Sequence, residues 1–361
     1  MKALSFLLLL AASCMAQNPQ DVSQLLEPIR LKYKLPALAA TVIDDQKILA
    51  QGVTGVRKAD EKEPATLNDL WHLGSDTKAM TATLAGTFVA DGTLKWDDTV
   101  SHHFPEFSEK IHESLRNVTI ADLLSHRAGL KPNLKWWAFG TRDLSRERLK
   151  AAKELLTAAP ASKVGDYQYS NAGYVVVGAI LEKLGKKPWE ELLRERVFVP
   201  LGMKDVGFGG TGTPGKTDQP WPHLDSGKPT KSNGPTIDNA PVMGPAGTCH
   251  ASLSSWSLFL SDQLRGATGG KALLPANIYS EIQSPHPQDG TYGFGWGVTR
   301  RPWAGGKVLT HAGSNTMNFA VCWLALPKRF GVLVCTNQAG DNAGKAADEA
   351  VSALIDWHSK L

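Results

Sequence analysis

Three short groups of residues, far apart in the chain, carry the side chains that a nucleophilic hydrolase needs. The first is Ser75-Asp76-Thr77-Lys78. On a helix, positions i and i+3 share a face, so the Ser75 hydroxyl and the Lys78 amine would meet. A free serine hydroxyl is a poor nucleophile and needs a neighbouring base, and the amine is the candidate. A helix that starts at Ser75 also presents its backbone N–H to an oxyanion. In isolation the same pattern describes a capping serine followed by a solvated lysine. The second group is Tyr169-Ser170-Asn171. A tyrosine with a pKa of ~10 is mostly protonated at neutral pH. A Lys78 cation nearby would favour the phenolate and make Tyr169 a usable general base. Asn171 has two readings, binding a substrate carbonyl or orienting Lys78. Tyr167 has Tyr169 where the Asn would have to be. The third group is His311-Ala312-Gly313, followed by Ser314. Gly313 would let substrate approach a strand edge, and the Ser314 N–H is a candidate second oxyanion donor. A lone histidine is more often structural, so this group too is weak by itself.

These groups need elements to hold them. Met80, Leu84 and Phe88 recur at fourfold spacing after Ser75, and Asp91-Gly92 is a good stop, so a helix is expected over 75–90. Val22, Leu25, Leu26, Ile29 and Tyr33 predict an earlier helix containing Pro28. Ala37 to Ile43 and Lys47 to Val53 read as a hairpin around Asp44-Asp45. Residues 93 to about 200 are helix-rich, and 207–248, with many Gly and Pro, read as a long surface excursion. Tyr292 to Gly297, Asn318 to Leu326 and Val332 to Thr336 are expected strands, closed by a helix through Ala347, Ala350, Val351, Leu354 and Ile355. Strands at both ends and helices between them predict an α+β fold: an α/β sandwich with one antiparallel sheet built from both ends of the chain, plus an inserted helical domain. The expected boundaries are 17–82 with 251–361 for the α/β part and 83–250 for the mainly helical part.

Composition excludes some classes. In 361 residues, 42% are hydrophobic and 20% charged, and the net charge of +4 gives no case for nucleic acid. Gly210 to Thr217 satisfies the P-loop pattern letter for letter. That loop needs a buried strand before it and a helix after it. Met203 to Phe208 is too polar and short, and Pro220 and Pro222 follow, so nucleotide binding is not expected. Lys2, the apolar run Ala3 to Ala12 and small residues up to Ala16 read as an export signal cleaved after Ala16. A second reading takes Leu10 to Cys14 as a lipobox with Cys14 lipidated. No later segment is apolar enough to span a bilayer. Cleavage leaves Cys249, Cys322 and Cys335, an odd number. A turn at Pro327 to Phe330, pairing Leu326 with Gly331, would set Cys322 opposite Cys335. Buried free thiols are the commoner case, with a disulfide as the alternative. No Cys–His spacing suggests zinc.

Taken together and in this order, the three groups resemble the serine β-lactamase superfamily, nearest to class C β-lactamases, DD-peptidases of similar build and their carboxylesterase relatives. The text between them fits as well: Thr119-Ile120-Ala121-Asp122-Leu123-Leu124-Ser125-His126, Tyr169 to Tyr174, Pro200-Leu201-Gly202-Met203, Pro245-Ala246-Gly247 and Tyr292 to Trp296. The resemblance spans roughly residues 22 to 357. It implies an active site between an α/β and a helical domain, an acyl-enzyme on Ser75, and a proton shuttled by Lys78 and Tyr169. It places Asn171, His311, Gly313 and Ser314 around the substrate and implies no metal or organic cofactor. The substrate classes it implies are small esters, β-lactams and D-Ala-D-Ala peptides. One departure bears on the choice: many relatives have Thr where this chain has Ala312. An uncharged His311 and no hydroxyl at 312 favour esters, unless Arg127 or Arg300 supplies the missing charge. The rival of another class is a non-catalytic binder of cell-wall peptides. The intact Ser75, Lys78, Tyr169 and Asn171 count against it.

Overall fold

A computed structural model describes residues 18–361; the expected export signal, with Cys14, lies outside the described residues. The strands are β1 Gln20–Asp21, β2 Ala37–Asp44, β3 Ile48–Gly55, β4 Leu70–His72, β5 Val206–Phe208, β6 Cys249–Ser252, β7 Gly297–Arg301, β8 Gly306–Ser314, β9 Phe319–Ala325 and β10 Phe330–Thr336. The helices of ten residues or more are labelled α1 Ser23–Lys32, α2 Thr77–Ala90, α3 Leu144–Thr157, α4 Asn171–Gly185, α5 Leu253–Ala267 and α6 Asp341–His358. Shorter helical turns fill much of the region from Val100 to Leu201.

Alternation along each strand explains the main sheet. In β2, Leu38, Ala40 and Val42 face one core while Ala37, Ala39 and Ile43 face another. The first core holds α1 and α6, through Leu26, Ile29, Ala347, Ala350 and Leu354. The second holds α2 and α5, through Met80, Leu84, Trp256 and Phe259. Successive side chains of a strand point to opposite faces, so a strand covered on both sides reads as a nearly unbroken apolar run. The seven strands lie in the order β1-β3-β2-β10-β9-β8-β7. Only β1 and β3 pair parallel; the other neighbours are antiparallel. Residues from the two ends of the chain thus share one sheet, with β8 near its edge. A second sheet, β4-β6-β5, sets the approach to Ser75 beside the chain leaving Gly247.

Three expectations change. The β9–β10 hairpin pairs Ala325 with Phe330, so Cys322 lies opposite Leu333 and Cys335 opposite Ala320. The turn is Leu326 to Arg329, with Arg329 at φ 56°. Phe330 is drawn out of the turn because burial holds its ring, which stacks on His358 at 3.8 Å between centroids. All three cysteines outside the signal are free and buried. Tyr292 to Trp296 is not a strand but a tight reversal into β7, in which the Gly293 N–H donates to the Trp296 carbonyl at 2.8 Å. Its glycine is needed for contact with a helix: a Cβ on Gly295, at φ +77°, would lie 2.6 Å from both the N and Cα of Ala79 in α2. The excursion over 207–248 is irregular but not merely superficial, since Trp221, His223, Asn233 and Val242 are buried. Within it, 210–217 is turns and bends, and no helix follows up to Pro222.

Gly295→Ala is expected to destabilise the fold by roughly 2–5 kcal/mol, combining left-handed backbone strain with overpacking. Gly92→Ala is the control: it has a similar φ of +79° with nothing within 4 Å of its added Cβ. It should show only the ~1–2 kcal/mol of backbone strain. Urea denaturation of both variants checks the difference. Equal losses would show that contact with α2 contributes nothing.

Candidate active site

Leu73 passes from β4 into a 3-10 turn, Gly74–Asp76, which runs directly into α2. Among residues 71–80 Ser75 alone is partly exposed. Lys78 is fully buried beneath it. Its Nζ lies 2.9 Å from Ser75 Oγ, 2.7 Å from Asn171 Oδ1 and 2.7 Å from the Ala246 carbonyl oxygen. Two of these partners can only accept, so the amine must give each of them a hydrogen. Burial pushes the Lys78 amine well below the usual lysine range, with Asp76 opposing. In its neutral form the amine has two hydrogens and one lone pair. With both hydrogens committed, the lone pair faces the Ser75 hydroxyl. This base form is lost as pH falls through the lowered pKa. Asp76 is buried as well, and burial pushes its carboxyl well above the usual range. Cys322 Sγ donates to its Oδ1 at 3.4 Å, and Oδ2 has no partner among the described residues.

Tyr169 sits at the rim, 36% exposed, with its ring centroid 4.9 Å from Lys78 Nζ. Its ionisation differs from the expectation. Burial pushes the phenol up, and a hydrogen bond with Ser75 only partly opposes this. The more Lys78 is neutral, the less cation it offers a phenolate, so Tyr169 is favoured as a phenol beside Ser75. Lys78 is therefore the better base, and Tyr169 the better proton donor. Asn171 takes the second of its two readings, since it orients Lys78. It stands at the start of α4, whose N-cap Ser170 accepts from the Gly173 N–H.

His311 and Gly313 point into the protein from β8, while Ala312 and Ser314 are exposed. Burial first, and Lys78 second, push the His311 pKa down to about 3. Its Nδ1 lies 2.9 Å from the Ala312 carbonyl oxygen and must donate to it, so Nε2 accepts from the Tyr292 hydroxyl at 2.9 Å. His311 is thus an uncharged member of an aromatic group behind Tyr169. Gly313 opens space for the chain itself rather than for substrate: its Cβ would meet Leu73 O and lie 2.5 Å from Ser75 N. Gly74, at φ +51°, has no room for a Cβ against Ser314 N, and one would lie 2.6 Å from the Gly313 carbonyl carbon. These two glycines press β8 onto the start of the Ser75 turn. The Ser75 and Ser314 amides are thereby neighbours, as an oxyanion hole needs. Arg127 donates to the carbonyls of His286 (2.8 Å) and Gly165 (2.7 Å), and Arg300 pairs with Lys307, three positions along β7 from Gly297. Neither places a free cation beside Ala312.

Several contributors carry no motif of their own. The Ala246 carbonyl is a main-chain group, and only the text Pro245-Ala246-Gly247 hinted at it. His126, at φ 63°, accepts from the Ser170 N–H through Nδ1 (3.0 Å) and from the Gln168 N–H through its carbonyl (2.8 Å). It brackets Tyr169, whose ring centroid is 4.3 Å away. Asp238 comes from the irregular excursion. Its Oδ1 lies 2.7 Å from His72 Nε2 and accepts from Asn315 Nδ2 at 2.9 Å. His72 Nδ1 in turn accepts from the Gly74 N–H at 3.1 Å. One buried carboxylate thus ties together the two segments that carry the Ser75 and Ser314 amides. Among the described residues no group of three or more His, Cys, Asp or Glu could hold a metal ion. Nor is any helix there long and apolar enough to cross a membrane.

A buried amine under a serine, between an antiparallel sheet and a helical layer, is the arrangement of the β-lactamase-fold serine hydrolases. The chain belongs to the beta-lactamase family, whose model matches residues 16–356. It is 32% identical over 183 residues to "Penicillin-binding protein 4" of Amycolatopsis lactamdurans, covering 49% of this chain and 46% of that protein. The chain thus spans about half the length of that relative. Its fold is similar to the octameric penicillin-binding protein homologue from Pyrococcus abyssi, with TM-score 0.71 and 21% identity over 92% of this chain and 76% of the other. It is also similar to the D-alanine carboxypeptidase AmpC from Burkholderia cenocepacia, with TM-score 0.71 and 19% identity over 92% and 97% of the two chains. The α+β architecture expected from the sequence is that of these proteins.

Asp238→Asn keeps the volume and removes the charge that holds both segments. It is expected to lower kcat about 10- to 100-fold, the scale of losing part of an oxyanion hole, with KM changed little. Rates are to be counted per Ser75 that can be acylated, so that loss of folded protein does not enter. An unchanged kcat on that basis would show that the two amides are held without Asp238.

Proposed function

We propose that the chain hydrolyses small acyl esters through an acyl-enzyme on Ser75. The Ser75 hydroxyl proton passes to Lys78 Nζ as Oγ bonds to the acyl carbon. The Ser75 and Ser314 amides receive the charge on the carbonyl oxygen. Tyr169 gives its phenolic proton to the departing alkoxide and regains one from Lys78. Water then attacks the acyl group by the same steps in reverse, releasing the acid and restoring Ser75. This use of a positioned base and donor is general acid–base catalysis. The lone pair of Lys78 directed at Ser75 is what argues against a passive binder of peptides.

The choice of ester rests on the edge of β8. β-Lactams and D-Ala-D-Ala peptides carry a carboxylate near the scissile bond. Here that edge offers an uncharged His311 and no side-chain hydroxyl at Ala312. Losing a hydrogen bond to a charged group costs about 1.5–3 kcal/mol, or roughly one to two decades in rate. A neutral ester needs no such anchor. The second reading, hydrolysis of β-lactams or D-Ala-D-Ala peptides, draws on the penicillin-binding relatives, and nitrocefin in the same experiment tests its β-lactam part. The apolar run Ala3 to Ala12 after Lys2, with small residues up to Ala16, is the ground on which we include export in the proposal.

Wild type should turn over p-nitrophenyl butyrate readily and nitrocefin slowly. Ala312→Thr should shift the ratio of kcat/KM toward nitrocefin by about tenfold, the lower bound of one restored hydrogen bond to a charged group. Ser75→Ala should fold and show no acyl adduct by mass spectrometry. A wild type that prefers nitrocefin would overturn the ester reading. A Ser75→Ala protein that keeps most of its turnover would remove Ser75 as the nucleophile.

A further inference from the structure

Behind Asn171, the residue that orients Lys78, stands Asn133, which lines a cavity. Asn171 Nδ2 donates to Asn133 Oδ1 at 2.9 Å, and Trp136 Nε1 donates to the same oxygen at 3.0 Å. Both lone pairs of that oxygen are then in use, while Asn133 Nδ2 donates to nothing among the described residues. Asn133 is exposed. It stands three hydrogen bonds from Ser75 Oγ, by way of Lys78 and Asn171. Beyond it opens a cavity of about 600 Å³ between the loop 131–139 and α3, lined among others by Lys131, Asn133, Lys135, Phe139, Lys150 and Glu154.

The lining is unbalanced in charge. Three ammonium groups face one carboxylate, Glu154. Lys131 and Lys135 form no salt bridge among the described residues. Lys150, itself exposed, has the half-buried Glu147 carboxylate at 3.6 Å and lies 5.4 Å from the centroid of the Phe139 ring. Leu134 and Phe139 add an apolar wall, and Trp137, 80% exposed, belongs to the same loop. Cations with unused capacity, an amide donor and an apolar surface together suit a carboxylate at the end of a short hydrocarbon linker. The β8 side of the site has no such cation, because His311 is uncharged.

We propose that this cavity is an anion subsite: it binds a carboxylate carried by the substrate several atoms from the scissile carbonyl, through Lys131, Lys135, Lys150 and Asn133. The inference rests on the ester reading and deepens it, making half-esters of dicarboxylic acids and acyl donors of like shape the preferred class. It differs from recognition of a carboxylate beside the scissile bond, for which the β8 edge is unsuited. Each exposed ion pair changes a binding constant by about 1.4- to 5-fold, so the three lysines together should give roughly tenfold. The preference should shrink as salt shortens the screening length.

The test uses two substrates of equal chain length, mono-p-nitrophenyl adipate and p-nitrophenyl hexanoate. Wild type should prefer the adipate in kcat/KM by about tenfold at low ionic strength. The variant Lys131→Gln/Lys135→Gln/Lys150→Gln should lose that preference while keeping its rate on hexanoate. Lys135→Gln alone should lose part of it, and serves if the triple variant folds poorly. A second arm does not depend on turnover: calorimetric titration of Ser75→Ala with monomethyl adipate, with and without the three lysines. Tighter binding when the lysines are present, weakened by salt, supports the subsite. Equal or absent binding in both proteins overturns it, whatever the ester rates are. If neither ester is hydrolysed, the ester reading fails and the titration still decides the subsite.

Discussion

A primary amine removed from water must find partners for all of its directions, and Lys78 finds them on three separate segments: the turn at Ser75 that leads into its own helix, the start of α4 at Asn171, and the Ala246 carbonyl ahead of β6. The rest of the architecture can be traced from that requirement. The small sheet β4-β6-β5 exists between the chain entering Ser75 and the chain leaving Ala246. Gly295 lets the reversal at Tyr292 to Trp296 press against α2 beside Lys78. Asn133 holds Asn171 from the far side. Exclusion of water does the chemical work, because it favours the neutral amine over the ammonium. The two committed hydrogens do the geometric work, because they leave only one direction for the lone pair.

The same exclusion decides the neighbouring groups. Tyr169, His311 and His126 are each held in their uncharged forms chiefly by burial. The site thus carries little fixed charge of its own, and the polarity it offers to a reacting carbonyl comes from backbone amides. Those amides are placed by contact between main chains, where Gly74 and Gly313 leave no room for side chains. The carboxylate of Asp238 then fastens both segments from below. A preorganised pair of amides in a dry site costs no reorganisation when charge develops, which is why such an arrangement suits acyl transfer.

Much of this was legible in the sequence, for physical reasons that differ residue by residue. Ser75 and Lys78 could be read because helical spacing alone brings them together. The hairpin of β2 and β3 and the helices α1, α2 and α6 could be read because both cores impose a regular apolar period. The ionisation of Tyr169 is not legible in the sequence, because the burial that lowers the Lys78 pKa comes from segments far along the chain. Ala246 acts through a carbonyl, which no residue type announces. Asp238 lies in a stretch rich in Gly and Pro, and its partner His72 shares no local pattern with it. The β9–β10 register differs by two residues from the one that a turn at Pro327 to Phe330 implies, because burial of Phe330 draws it into the strand.

Burial of Lys78 should leave it resting as a neutral amine with its lone pair directed at Ser75. The most direct measurement is the 15N resonance of its Nζ across a pH titration, assigned by its loss in Lys78→Arg. Surface lysines should keep ammonium shifts up to their ordinary pKa of ~10.4. Lys78 should already show the shift of a free amine at a pH where those lysines remain charged, and should titrate well below them. A Lys78 resonance that titrates with the surface lysines would show a resting ammonium, and would contradict the account of the site built on its burial.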